Sequence, residues 1–138
     1  MLLGMRRLLP VSALALLILL VLPAGLLAQP AQEPLVAIET RGSPLLSGEG
    51  GRIGITVTLA RPADVRLRVV DFDGRTVRVL HDGPRRAGES NDGWSGRDSD
   101  TVRVANGPYR VVAAATADGV TERAEAWVTV ADRAVYPR

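Results

Sequence analysis

One histidine, His81, and no cysteine set the limits on the chemistry open to this chain of 138 residues. A Ser-His-Asp arrangement needs its histidine in a cleft beside a serine. His81 instead falls at the end of an alternating segment, in phase with its apolar residues, and reads as a histidine capping the rim of a core. A zinc site built on one histidine would have to draw all its other ligands from carboxylates, which disfavours it. Asp71-Phe72-Asp73-Gly74, Asn91-Asp92-Gly93 and Asp98-Ser99-Asp100 gather oxygens. Calcium takes about six to eight of them, and each of these runs supplies only a few. They read as turn chemistry, unless Asp92, Asp98 and Asp100 converge in a weak extracellular site. The expectation is a non-catalytic chain without cofactor or resident metal.

Side chains suited to binding are easier to find. Arg66, Arg68 and Arg78 fall at outward phase in adjacent alternating segments, and Trp127 stands at outward phase between Glu125 and Thr129. Every basic residue of the chain is arginine, whose forked donors suit carboxylate and phosphate. A flat exposed indole can stack on a sugar ring or anchor a protein contact. Arg66, Arg68, Arg78 and Trp127 therefore form the candidate partner-binding face. The competing account has Asp64 and Glu125 neutralise the arginines, and Trp127 cover a loop or pack under Tyr136.

The chain that must position these residues begins at its leader. Arg6-Arg7, the apolar run 8–22 and the small residues around Ala28 have the layout of a secretory signal peptide, with cleavage expected after Ala28. An uncleaved membrane anchor over 8–28 is the alternative. Either way the remainder is exported, to the periplasm or beyond the cell. The net charge of +2 comes from Arg6 and Arg7 alone, since residues 29–138 balance 15 arginines against 15 acids. A neutral remainder gives no reason to expect nucleic acid as a partner. Its 110 residues are enough to bury about two-thirds of the unfolded surface in one core. The division expected is a signal peptide at 1–28, a spacer at 29–34, one domain at 35–131 and a tail at 132–138.

Within the domain no helical period persists. Short alternating segments recur at 35–40, 52–59, 64–70, 75–82, 89–94, 109–117 and 122–130, separated by Gly, Pro, Asn and Asp. About seven such strands at this spacing predict an all-β, immunoglobulin-like or fibronectin III-like sandwich. Alternation sends Ile53, Ile55, Val57 and Leu59 inward, then Val65, Leu67 and Val69, and finally Ala124, Ala126, Val128 and Val130. The hairpin after Val70 is predicted to turn through Phe72-Asp73-Gly74, with Gly74 in the left-handed position. That loop pairs Val69 with Val77, Leu67 with Val79 and Arg68 with Arg78, keeping apolar and charged residues on separate faces.

Several of these pieces together resemble the immunoglobulin-like domain of flagellar hook-capping (FlgD-type) proteins, a module also appended to secreted bacterial proteins. They are the hairpin VRLRVVDFDGRTVRVL, the pair Ala87-Gly88, WSGRD from Trp94 to Asp98, and NGPY from Asn106 to Tyr109. The resemblance implies structural roles for Gly74, Trp94, Gly96, Asp98, Gly107 and Tyr109. Trp94 would plug the core or cover an edge, Asp98 would accept turn amides, and Gly107 would set up the strand that Tyr109 begins. Ser95 stands where the family usually has an acid or amide, and Thr101 where its loop usually has glycine. The expected role is a structural or interaction module of the cell envelope or of a secreted assembly. Its partner would be another envelope or secreted protein, with contact to the membrane only through an uncleaved leader. A carbohydrate-binding or adhesion module, with polysaccharide as partner, and a flagellar hook-assembly-related protein are the alternatives.

Overall fold

A computed structural model describes residues 31–46 and 50–132. The leader and the first part of the spacer lie outside the described residues, as do Tyr136 and most of the tail. The chain divides into two compact units, Met1–Gln32 and Glu33–Arg138, and the second carries the fold.

Among the described residues there are eight strands and no helix: β1 (Val36–Arg41), β2 (Leu45–Leu46), β3 (Ile53–Leu59), β4 (Ala63–Val70), β5 (Thr76–Arg85), β6 (Gly88–Trp94), β7 (Gly107–Ala117) and β8 (Val120–Ala131). They form a three-stranded sheet in the order β1-β3-β6 and a five-stranded sheet in the order β2-β8-β7-β4-β5. The architecture is the expected all-β sandwich. Seven strands match the alternating segments, and β2 is the addition. Its two residues pair in parallel with Val130 and Ala131 of β8 and are too few to show alternation in the sequence.

The core forms where the inward sets of the two sheets meet. Ile53, Ile55, Val57 and Leu59 of β3 are buried against Val65, Leu67 and Val69 of β4 and Val128 and Val130 of β8. Trp94 is buried at the end of β6, its ring edge-on to Tyr109 at 5.3 Å between centroids. Its indole N–H is not wasted there, since it donates to the Arg97 carbonyl at 2.8 Å. Tyr109 sits near the start of β7, and its hydroxyl donates back to the Ala105 carbonyl at 2.7 Å.

The β4–β5 hairpin is half as expected. Its loop is Phe72-Asp73-Gly74, closed by Asp71 N–H to the Arg75 carbonyl at 3.0 Å, with Gly74 at φ +81°. The register beyond the loop differs. Val69 pairs with Arg78, Arg68 with Val79, and Leu67 with His81, because β5 bulges once at Val77 and again at Leu80. Each bulge sets two residues of β5 against one of β4 and turns the alternation by one step. Leu67 therefore does not face Val79, which lies on the outer face and is 39% exposed. Arg68 does not face Arg78.

The first bulge has a physical purpose. Residues 95–106 fold into a compact loop between β6 and β7 that docks against β5. Ser99 directs both its N–H (3.2 Å) and its hydroxyl (3.3 Å) to the carbonyl of Val77, and Arg78 donates to the Asp98 carbonyl at 2.6 Å. The bulge frees the Val77 carbonyl from the ladder and swings Arg78 to the inner side of the sheet edge.

Candidate interaction face

The residues singled out for binding are arranged by the pairing of β5, β4, β7 and β8. Partners in antiparallel strands project to the same face, so cross-strand rows can be read directly from the register. One row on the outer face runs Thr76, Val70, Arg110, Trp127; the next runs Val79, Arg68, Val112, Glu125; a third runs Asp82, Arg66, Ala114, Arg123. Arg66, Arg68 and Trp127 thus share a face as expected. Arg78 does not: it pairs with inward-facing Val69 and points to the β6–β7 loop, so it leaves the candidate site.

At the β8 end of its row Trp127 is 58% exposed. The Arg110 guanidinium lies 5.4 Å from the centroid of its ring, and Arg110 Nη1 also holds a Glu125 carboxylate oxygen at 3.1 Å. Stacking and ion pair fix this planar cation, although its Nε is buried without an acceptor. Arg66 pairs with Asp82 at 3.8 Å. Arg68 donates to the Thr76 hydroxyl at 3.1 Å, with no carboxylate partner among the described residues. Val70 and Val112 project from this face yet are buried, as expected where arginine stems cover apolar surface.

Sequence reasoning missed Arg110, whose place beside Trp127 depends on the β7–β8 register. It also missed Phe72, which is 75% exposed at the hairpin tip. The loop borders the Arg110–Trp127 row, since Gly74 lies beside the Arg110 guanidinium. The signal was an aromatic in a turn, where turn chemistry asks for Gly, Asn or Asp.

The remaining candidates sit in structural positions. His81 is half-buried, its Nε2 3.1 Å from the Gly83 carbonyl. Asp92 is engaged in both carboxylate oxygens by Arg85, at 2.8 and 2.9 Å. Asp98 Oδ1 accepts the amides of Asp100 and Val102, at 3.0 and 2.9 Å. Asp92, Asp98 and Asp100 therefore do not converge, and among the described residues no group of three or more His, Asp or Glu is placed to hold a metal ion. Gly96 sits at φ +73°, a conformation that strains other residues, and a Cβ there would meet the Leu45 side chain at 2.8 Å and oblige it to shift. Gly107 opens β7. Burial, and then the nearby negative charge of Asp71, push the Tyr109 hydroxyl above its ordinary pKa.

Comparison with known proteins bears on the family and the fold. The family model for the FlgD Ig-like domain matches residues 43–119. The chain is 36% identical over 86 residues to the basal-body rod modification protein FlgD of Salmonella typhimurium, and equally to that of Salmonella typhi. Those matches cover 56% of this chain and 37% of the relatives, so it spans little more than a third of their length. Among solved structures, FlgD from P. aeruginosa superposes with a TM-score of 0.50 at 20% identity, over 69% of this chain and 68% of that one. PorU from Porphyromonas gingivalis gives 0.58 at 16% identity, over 77% of this chain and 10% of that one. These two likenesses bear on the fold alone. By its sequence and its two-sheet architecture, the chain belongs to the FlgD Ig-like domain family.

Proposed function

We propose that this chain is a non-catalytic assembly module related to flagellar hook assembly, and that it engages a partner protein through the outer face of its five-stranded sheet. The observation that carries the reading is the family match together with the 36% identity to a protein named for modification of the basal-body rod. The outer face supports it: tryptophan and arginine dominate the energetics of protein contacts, and Trp127, Arg110 and Arg68 lie together there with Phe72 at its border. The leader pattern supports a site of action outside the cytoplasm.

Fractionation tests the proposal. Hook–basal-body particles from the source cells should carry the protein, and deleting its gene should impair motility. Particles free of it, from cells that swim normally without it, would overturn the reading. The exposed indole favours a second reading, an exported envelope module that binds polysaccharide. In that case retention on envelope polysaccharide should be lost in Trp127→Ala, with motility untouched by the gene's deletion.

A further inference from the structure

β8 is twelve residues long, yet among the described residues its only strand partner on the side away from β7 is β2, at Val130 and Ala131. The Thr129 N–H points to that side, where it donates to the Ser43 hydroxyl at 3.0 Å. The β7–β8 register is unbroken, and in an antiparallel strand every second residue directs its N–H and C=O to the same side. Thr121, Arg123, Glu125 and Trp127 therefore direct their backbone groups away from β7, to a side on which no described strand pairs with them, although β1 approaches β8 there, with the Leu35 N–H on the Glu122 carboxylate at 2.7 Å. Their side chains stand exposed on the outer face.

We propose that this edge pairs antiparallel with the same edge of a second copy of the chain, joining two five-stranded sheets into one. Charge selects both the occupant and the register. Only residues with outward-directed backbone groups can bond each other, so the two-fold axis can fall at a limited set of positions. With the axis at Arg123, two arginines meet; with the axis at Glu125, two glutamates meet. With the axis at Ala124, Arg123 of each copy faces Glu125 of the other, twice. Opposite charges in direct cross-strand pairs stabilise and like charges destabilise.

The same register completes groups that one chain leaves open. Arg123 has no carboxylate partner among the described residues, and it gains one. Glu125 is shared between its own Arg110 and the second copy's arginine. Trp127 faces Thr121 of the second copy, with the second copy's Arg123 on the diagonal, within reach of its ring. Within the five-stranded sheet the other edges are less suited: β5 is broken by two bulges and carries Pro84, and β2 has two residues. This inference stands apart from the proposed function, since it concerns self-association alone.

The test uses the full chain. Sedimentation velocity across a concentration series should show a reversible dimer. Arg123→Glu alone and Glu125→Arg alone should each weaken it by about tenfold or more. An equimolar mixture of these two variants should dimerise again, because each supplies the charge that the other lacks. A second measurement reads the register. The chain has no cysteine, and the two Ala124 residues would form a non-hydrogen-bonded pair about 4.5 Å apart at Cα, within disulfide reach. Ala124→Cys should oxidise to a covalent dimer, and Ala126→Cys should not. A monomer at every concentration with no crosslink overturns the proposal. So does a dimer indifferent to both charge reversals, or equal crosslinking at both positions.

Discussion

Thr101 shows how a single residue can stand at odds with its turn. The loop after Asp98 requires a left-handed residue, and Thr101 adopts φ +64° with its N–H bonded to the Asp98 carbonyl at 3.1 Å. A β-branched side chain is strained there by roughly 1–2 kcal/mol. Glycine removes the strain but adds freedom to the unfolded chain. Thr101→Gly should therefore raise stability by about 0.5–1 kcal/mol, read as a higher denaturant midpoint with an unchanged slope. Tyr109 makes the opposite kind of contribution, because burial and Asp71 hold its hydroxyl neutral above the usual tyrosine range. Its folded pKa exceeds its unfolded value of 10.0, so its full contribution is present below about pH 10 and is lost as pH climbs through the folded value. Tyr109→Phe should cost about 1 kcal/mol at pH 7, for the lost bond to Ala105. The gap between variant and wild type should then close as pH rises above about 10. A constant gap across that range would mean that the phenol titrates alike in both states.

The β4–β5 hairpin marks where an element could be read from sequence and where it could not. Asp71 to Gly74 carries local turn chemistry, so the loop and its left-handed glycine were legible. The register beyond it was not, because both bulges answer to tertiary contacts. Ser99 claims the Val77 carbonyl from a loop 22 residues away, and nothing in the alternation of β5 announces that demand. Face assignments in β3, β4 and β8 were legible since those strands run unbroken against the core. The candidate site suffered in proportion: Arg66 and Arg68 on β4 are where alternation put them, and Arg78 on β5 is not. Truncations can confirm the observed register. Leu67→Ala should cost about 2–5 kcal/mol, as for a fully buried leucine. Val79→Ala and Arg66→Ala, both on the outer face, should each cost less than about 1 kcal/mol. Equal losses at Leu67 and Val79 in denaturant melts would restore the unbulged pairing.

For the molecule as a whole, the question is what holds the two sheets together where apolar side chains run out. At the β5–β6 margin Arg85 faces inward opposite Ala63, while Ser90 and Asp92 face inward opposite Val57 and Ile55. Arg85 bridges the margin: one guanidinium nitrogen binds the Ser90 hydroxyl at 2.6 Å and Asp92 at 2.8 Å, and the other binds Asp92 at 2.9 Å. The Arg85 and Asp92 side chains keep only 11% and 16% of their surface exposed. The stretch from Arg85 to Asp92 holds no large apolar residue, so although 89–94 reads as a strand, hydrophobic alternation assigns its polar residues no buried face. Only the shared phase of Ser90, Asp92 and Trp94 hinted that these polar groups point into the sandwich. Such a pair contributes less through its own attraction than through the damage done when one member is removed, because the survivor stays charged and poorly solvated. Asp92→Ala should therefore destabilise by about 3–5 kcal/mol. Replacing both members with apolar residues of similar size, Arg85→Met with Asp92→Leu, should recover most of that loss. The deficit in Asp92→Ala should also change little between low and high salt, since buried charges are weakly screened. If Asp92→Ala costs under about 1 kcal/mol, or if salt erases the difference, the pair behaves as a surface contact and the margin is held by the apolar core alone.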